Sequence, residues 1–305
     1  MIELEDEMDK LKIKLGAAPI AWTNDDLPDL GSENTFAQCV SEMALAGYVG
    51  TEIGTKYPKE THRLKKALEL RGLVVCNAWF SGSFTSKPYD DVIEEFKNHC
   101  EFMSEMGAKV IGAAEVGNSV QGLQLPVIDA KPVFTEEQWK LVGRGFKEMA
   151  KIAEEKGIVL AYHHHMGTGV QTPSEIDRFM EETDGMVKLL FDTGHLVYSE
   201  GSQKAMLAVL KKYEGRIGHV HLKDIRPEMV KKVIDEKLSF LDGVRLGTFT
   251  VPGDGFIEFK PVFDELERQN YEGWMVVEAE QDPAIADPYE YALKARHYIH
   301  ELTGL

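Results

Sequence analysis

The chain has 305 residues, 43% hydrophobic and 28% charged, which is enough apolar material for a large buried core and too much for a disordered chain. A formal charge of −17, from 51 acidic against 34 basic residues, sets up a field that repels phosphate backbones and anionic lipid, so neither nucleic acid nor a membrane surface is expected as a partner. Three widely spaced cysteines, Cys39, Cys76 and Cys100, with no C-x-x-C pair, argue against a disulfide framework or a zinc ribbon and for a reducing, cytoplasmic setting.

Residues 1–12 are acidic, lack the basic start and apolar core of a signal peptide, and read as an N-terminal extension. No run of about 18 apolar residues occurs, so no membrane span is expected. Eight short β-rich runs follow, at 14–19, 50–53, 74–79, 110–114, 158–163, 187–191, 217–222 and 274–278. Between them, stretches such as 35–46, 59–71, 89–106, 135–156 and 261–269 carry apolar residues at helical spacing. Gly47, Gly72, Gly107 and Gly157 each follow a helix and precede a strand, where a residue that accepts the left-handed conformation is wanted. No composition break marks a domain boundary, so the expected architecture is one α/β domain over 1–305, a (β/α)8 TIM barrel. An open doubly wound sheet would show a Gly-rich turn after the first strand, and Ile20, Ala21, Trp22, Thr23 and Asn24 stand there instead. The long segments 117–131 and 225–250 are expected on the C-terminal face, where barrel active sites lie.

Polar residues collect at the C-terminal ends of the later strands. Side chains alternate along a strand, so His219, His221 and Lys223 share one face while Val220 and Leu222 take the helix side. By the same period Glu278 projects inward with Glu280 beyond it, and His163 and His165 share a face with His164 opposed. Buried imidazoles and carboxylates converging with Asp192 are most simply satisfied by a divalent cation, able to polarise the carbonyl of a small, neutral, polyhydroxylated substrate. His164, beside Tyr162, reads as a hydrogen-bonded core residue. Lys223, near such a cation, is a candidate base with a lowered pKa, and His195 or His219 a candidate acid. Glu52 and Asn24 are candidate hydroxyl binders; Trp22, Trp79 and Phe80 are candidates for an apolar wall. The run Pro252, Gly253, Asp254, Gly255 looks like a phosphate loop but lacks the following Lys-Ser/Thr, so it reads as a tight rim loop.

Asp192-Thr193-Gly194-His195, His219-Val220-His221, Gly253-x-Gly255 and Val277-Glu278 resemble the xylose-isomerase-like barrel superfamily, which includes sugar epimerases and hydroxypyruvate isomerases. Within it, the run from Tyr162 through His165 to Thr172 and the opening Leu15-Gly16-x-x-Pro19-Ile20-x-Trp22-x-Asn24 resemble the inosose dehydratases of myo-inositol catabolism. The likeness runs from about Ile13 to the end. It implies a metal held by Asp192, His221 and Glu278, Mn2+ or Co2+ before Zn2+ or Fe2+. The fourth ligand falls where the superfamily has a glutamate; His163 stands there, with His165 the competing choice and also a candidate substrate contact. It further implies dehydration of 2-keto-myo-inositol, a keto-cyclitol, to a trihydroxycyclohexane-1,2-dione.

A ketose epimerase or sugar isomerase on the same barrel is the rival reading, and it wants a strand-five carboxylate that this chain lacks. A non-catalytic sugar-binding barrel would have lost its ligands, and the endonuclease branch would carry a basic groove. A homo-oligomer is compatible with the sequence, which sets no oligomeric state.

Overall fold

The computed structural model describes residues 12–305, so all of the expected N-terminal extension except Lys12 lies outside the described residues. In chain order the strands are β1 Ile13–Ala17, β2 Gly50–Glu52, β3 Val74–Asn77, β4 Trp79–Gly82, β5 Val110–Glu115, β6 Val159–His163, β7 Lys188–Asp192, β8 Ile217–Leu222, β9 Asp224–Ile225, β10 Phe249–Thr250 and β11 Gly273–Val277. The main sheet runs β3-β2-β1-β11-β8-β7-β6-β5-β4, with every pairing parallel. Its two ends, β3 and β4, are consecutive in the chain and separated only by Ala78. The third expected strand is therefore broken in two: its first half pairs with β2 and its second with β5, and the barrel closes through that break.

Local chemistry sets the element ends. Gly47, Gly72, Gly107 and Gly157 have φ of +90°, +67°, +77° and +68°, the left-handed conformation that turns a helix into the next strand without a Cβ clash. Thr135 and Thr172 form capping boxes with Gln138 and Glu175, so the helices Glu136–Glu155 and Pro173–Glu182 start with their first amides satisfied.

Those helices bury Phe146 and Phe179 against Tyr162 on the outer face of β6, with ring centroids 5.0 and 3.7 Å from the tyrosine, and each ring contributes about 1.5–3 kcal/mol by leaving water. Inside the barrel, below the polar mouth, lie two small apolar sets: Cys76, Trp274 and Val276, and Val110, Ala161 and Leu190. All three cysteines are buried and free. Of the two long segments, 117–131 has no helix or strand. The other contains the helices Pro227–Asp235 and Phe240–Arg245 and closes with the antiparallel ribbon of β9 and β10. No described helix is long and apolar enough to cross a membrane.

Candidate metal centre and its cavity

Where β6, β7, β8 and β11 end, His163, Asp192, His221 and Glu278 each place one atom within 4.8 Å of the others, and all four residues are buried. The strand alternation puts them there, because the residues between them face the helices.

Each of the four is tied by its other polar atom. His163 Nδ1 donates to the His164 carbonyl at 2.6 Å, leaving Nε2 to face inward. Asp192 Oδ1 accepts the His195 amide at 2.7 Å, leaving Oδ2. His221 Nε2 donates to Glu52 Oε1 at 2.9 Å, leaving Nδ1. Glu278 Oε1 pairs with Lys223 Nζ at 2.9 Å, leaving Oε2. The inward set is close: His163 Nε2 lies 3.6 Å and His221 Nδ1 3.5 Å from Asp192 Oδ2, and His221 Nδ1 touches Glu278 Oε2. Asp192 Oδ2, His221 Nδ1 and Glu278 Oε2 are buried with no directed hydrogen bond. Two imidazole nitrogens and two carboxylate oxygens aimed at one point, three of them otherwise unsatisfied, fit a divalent cation.

The electrostatics follow from burial and crowding. Desolvation would raise Asp192 and Glu278, but the Lys223 ammonium for the first, and His221 with Lys223 for the second, hold Asp192 well below its ordinary value and Glu278 at about 2. Burial works against His221, yet Glu278 and Glu52 raise it well above the usual imidazole value. Burial takes His165 and His195 well below that value, so both rings are neutral. It also lifts Glu280 to about 7.

The cavity above the centre is lined by Glu52, Asn77, Trp79, His163, His165, His221, Glu278 and Glu280, with Asp25, Asp26 and Gln121 at the mouth. Trp79 stands edge-on to His163 and His165 at centroid distances of 5.5 and 6.1 Å. Glu52 Oε1 accepts from His219 Nε2, His221 Nε2 and Asn77 Nδ2 at 3.1, 2.9 and 2.8 Å. Gln121 Nε2 donates to Asp26 Oδ2 at 2.9 Å, joining two loops across the opening.

Several expected roles are corrected. Trp22 is 1% exposed, sits in the core and donates its indole N–H to Glu42 at 2.6 Å, because the 3-10 turn Pro19–Ala21 swings it off the barrel axis. Asn24 folds back on its own loop, its side-chain oxygen accepting the amides of Asp26 and Leu27 at 2.9 and 2.8 Å, and the cavity wall is taken by Asp25 and Asp26 instead. Phe80 packs outward on Phe96 and His99. Lys223 is held as an ammonium: burial would lower it, but Glu278 and Glu280 raise it above its ordinary value, opposite to the expectation for a base. Neither Lys223, His195 nor His219 reaches the cavity wall. His164 Nε2 accepts the Asp192 amide at 3.2 Å, a structural role. The Gly253–Gly255 loop turns its amides onto a carboxylate, Gly255 and Ile257 donating to Asp224 at 3.1 and 2.8 Å.

Asn77, Glu280, Asp25, Asp26 and Gln121 were not picked out as site residues. For Asn77 the signal was present, a polar residue ending the apolar run Val74-Val75-Cys76. Gln121 lies in a segment already expected on this face.

A closed parallel barrel with a cation-binding cluster at its strand ends defines a class, and residues 40–300 match the family of xylose isomerase-like TIM barrels. Among curated proteins, the inosose dehydratase of Yersinia enterocolitica is 59% identical over 298 residues, covering 98% of this chain and 100% of its own. That of Geobacillus thermodenitrificans is 61% identical over 296 residues, 96% of this chain and 98% of its own. The chain belongs to the inosose dehydratase family and is a carbon–oxygen lyase. Solved structures share the fold at low identity: the IOLI protein, with a bound zinc atom, superposes with a TM-score of 0.70 at 19% identity, covering 95% of this chain and 98% of that one. A probable 3-DHS dehydratase, AsbF of Bacillus anthracis, gives 0.69 at 14% identity, over 94% and 98% of the two chains.

Proposed function

We propose that this chain, a single barrel acting in the cytoplasm, removes water from 2-keto-myo-inositol to give a trihydroxycyclohexane-1,2-dione, with His163, Asp192, His221 and Glu278 holding Mn2+ or Co2+. The observation that carries the reading is that all four residues are fixed by their second polar atom, so that the remaining atoms face one point on a cavity wall. The high identity to inosose dehydratases supplies the reaction. A cation held by these four residues would supply polarisation of the substrate's ketone and stabilisation of negative charge on its oxygen.

The elimination takes a proton from the carbon beside the ketone and hydroxide from the next carbon. His165 is neutral, lines the cavity, and donates its Nδ1–H to the Met166 carbonyl at 2.8 Å, which leaves Nε2 as its proton-accepting atom. The imidazolium so formed returns the proton to the departing hydroxide, which leaves as water; the enol left behind tautomerises to the dione. Asn77, Glu52, Asp25 and Asp26 offer partners for hydroxyls, and Trp79 gives an apolar face for the ring. Among the described residues the wall carries no Lys or Arg, as suits a neutral substrate.

The test is to strip the protein with a chelator, add 2-keto-myo-inositol with or without Mn2+ or Co2+, and follow the ultraviolet absorbance of the unsaturated product. A metal-dependent rise is expected. No rise with either ion, while the protein remains folded, overturns the dehydratase reading and leaves the barrel intact.

A further inference from the structure

Beside the four-residue cluster lies a second one, on the far side of Glu278. His165, His195 and Glu280 place one atom each within 4.8 Å of one another, all three residues buried. The Lys223 ammonium sits at that cluster's edge, completely buried, 3.0 Å from His195 Nε2, 2.8 Å from Glu280 Oε2 and 2.9 Å from Glu278 Oε1, with Asp192 Oδ2 at 3.7 Å. The Phe249 ring closes the remaining side, its centroid 4.7 Å from Nζ. Glu280 Oε2 is buried, and the Lys223 ammonium is what holds it.

The stem is cradled as closely as the head. A Cβ on Gly194 would fall 2.6 Å from Lys223 Cγ and 2.9 Å from Cδ, so the residue opposite the lysine must be a glycine for the chain to reach the cage. Carboxylate and imidazole atoms around a fully buried cation, at 2.8–3.0 Å, are the donor set of a divalent ion site. They would need to close in by only about 0.8 Å to reach bond lengths near 2.1 Å.

We infer that Lys223 is a built-in cation occupying a second ion cage, and that it keeps the centre to one metal per chain. The inference rests on the reading above, that His163, Asp192, His221 and Glu278 hold the first ion. It gives Lys223 a positioning role: its charge satisfies Glu280 and His195, the groups that would otherwise join His165 in gripping a second ion, and so leaves His165 free to take the substrate's proton. A metal pair, which a hydride shift between two ions would need, is thereby denied to this barrel.

Equilibrium dialysis against Mn2+, with metal measured per folded chain and coupling between ions read by electron paramagnetic resonance, tests this. Wild type binds one Mn2+; Lys223→Ala binds two, with a spin-coupled spectrum; Lys223→Arg, which keeps the charge, stays at one. Lys223→Ala that folds and binds one ion overturns the inference, as does a wild type that binds two. Should Lys223→Ala fail to fold without metal, millimolar Mn2+ must restore its circular dichroism together with the second ion, and failure to do so also overturns it. Wild type binding no Mn2+ would instead sink the first-site reading, so the two failures are distinguishable.

Discussion

Glu52 touches no proposed ligand atom, yet it fixes the atom His221 presents. Its Oε1 accepts the Nε2 protons of both His221 and His219, at 2.9 and 3.1 Å, and the Asn77 amide at 2.8 Å. With Nε2–H committed, Nδ1 is the His221 atom that faces Asp192 and Glu278, and it is the one that would give up its proton to take a cation. The anionic acceptor also makes that ring a better donor to a cation. Glu52→Gln keeps the shape and one acceptor oxygen but removes the charge. Loss of such a partner lowers metal affinity by about 10- to 100-fold, or about 1.4–2.7 kcal/mol. Glu52→Ala goes further: two imidazole N–H groups and one amide lose their acceptor in a buried site, at about 1–3 kcal/mol for each donor left unsatisfied, so it is expected to lower thermal stability as well. Mn2+ titration calorimetry on chelator-treated protein, with thermal unfolding measured alongside, separates the two variants. If Glu52→Gln binds Mn2+ within about twofold of wild type, the argument that the Glu52 charge strengthens His221 as a ligand is wrong.

His165→Gln is expected to lower kcat by about 10²- to 10⁴-fold while leaving bound Mn2+ unchanged, as measured by the absorbance assay and metal analysis; a parallel loss of metal would make His165 a ligand instead. Gly194→Ala forces a Cβ to within 2.6 Å of the Lys223 stem and is expected to destabilise the fold by about 1–3 kcal/mol in urea titration, whereas a neutral result would show a yielding stem. Asp224 is raised from 3.8 to about 6 by burial, against the opposing pull of its backbone amides. Its folded value exceeds its unfolded one, so its contribution to stability is complete below about pH 3.8 and is lost as pH climbs through about 6, a change of about 3 kcal/mol. The stability difference between wild type and Asp224→Asn should therefore fall between pH 4 and pH 7, and a constant difference refutes the shift.

Much of this was legible in the sequence because strand alternation is a strong rule. Val220 and Leu222 can only face helices, so His219 and His221 had to point inward, and the same period aligned Glu278 with the barrel axis. Eight β-runs were visible, but the break at Ala78 was not, since a single residue between two strands is too short a gap to separate one β-run from the next. Trp22 and Asn24 were misplaced for a related reason: the three-residue turn Pro19–Ala21 rotates the chain after β1, and no periodicity registers a turn that short. The charge state of Lys223 depends on Glu278 and Glu280, which arrive from β11 more than fifty positions later, so it could be read only once the strands were assembled.

The substitution of His163 at the position where the superfamily resemblance implies a carboxylate acquires a physical meaning from the assembled site. In the proposed site the two carboxylates of Asp192 and Glu278 would balance one divalent cation, while His163 and His221 would coordinate as neutral imidazoles. A third carboxylate would neutralise the ion further and weaken its pull on a ketone oxygen, and it would place a second proton-accepting group beside the substrate, as epimerisation requires. With imidazole there, charge balance would favour strong polarisation of one carbonyl, and the neutral His165 on that wall offers the proton-accepting nitrogen. A base on one face serves an elimination in which the proton taken from carbon leaves with the hydroxide. It does not serve a reaction that must deliver a proton to the opposite face.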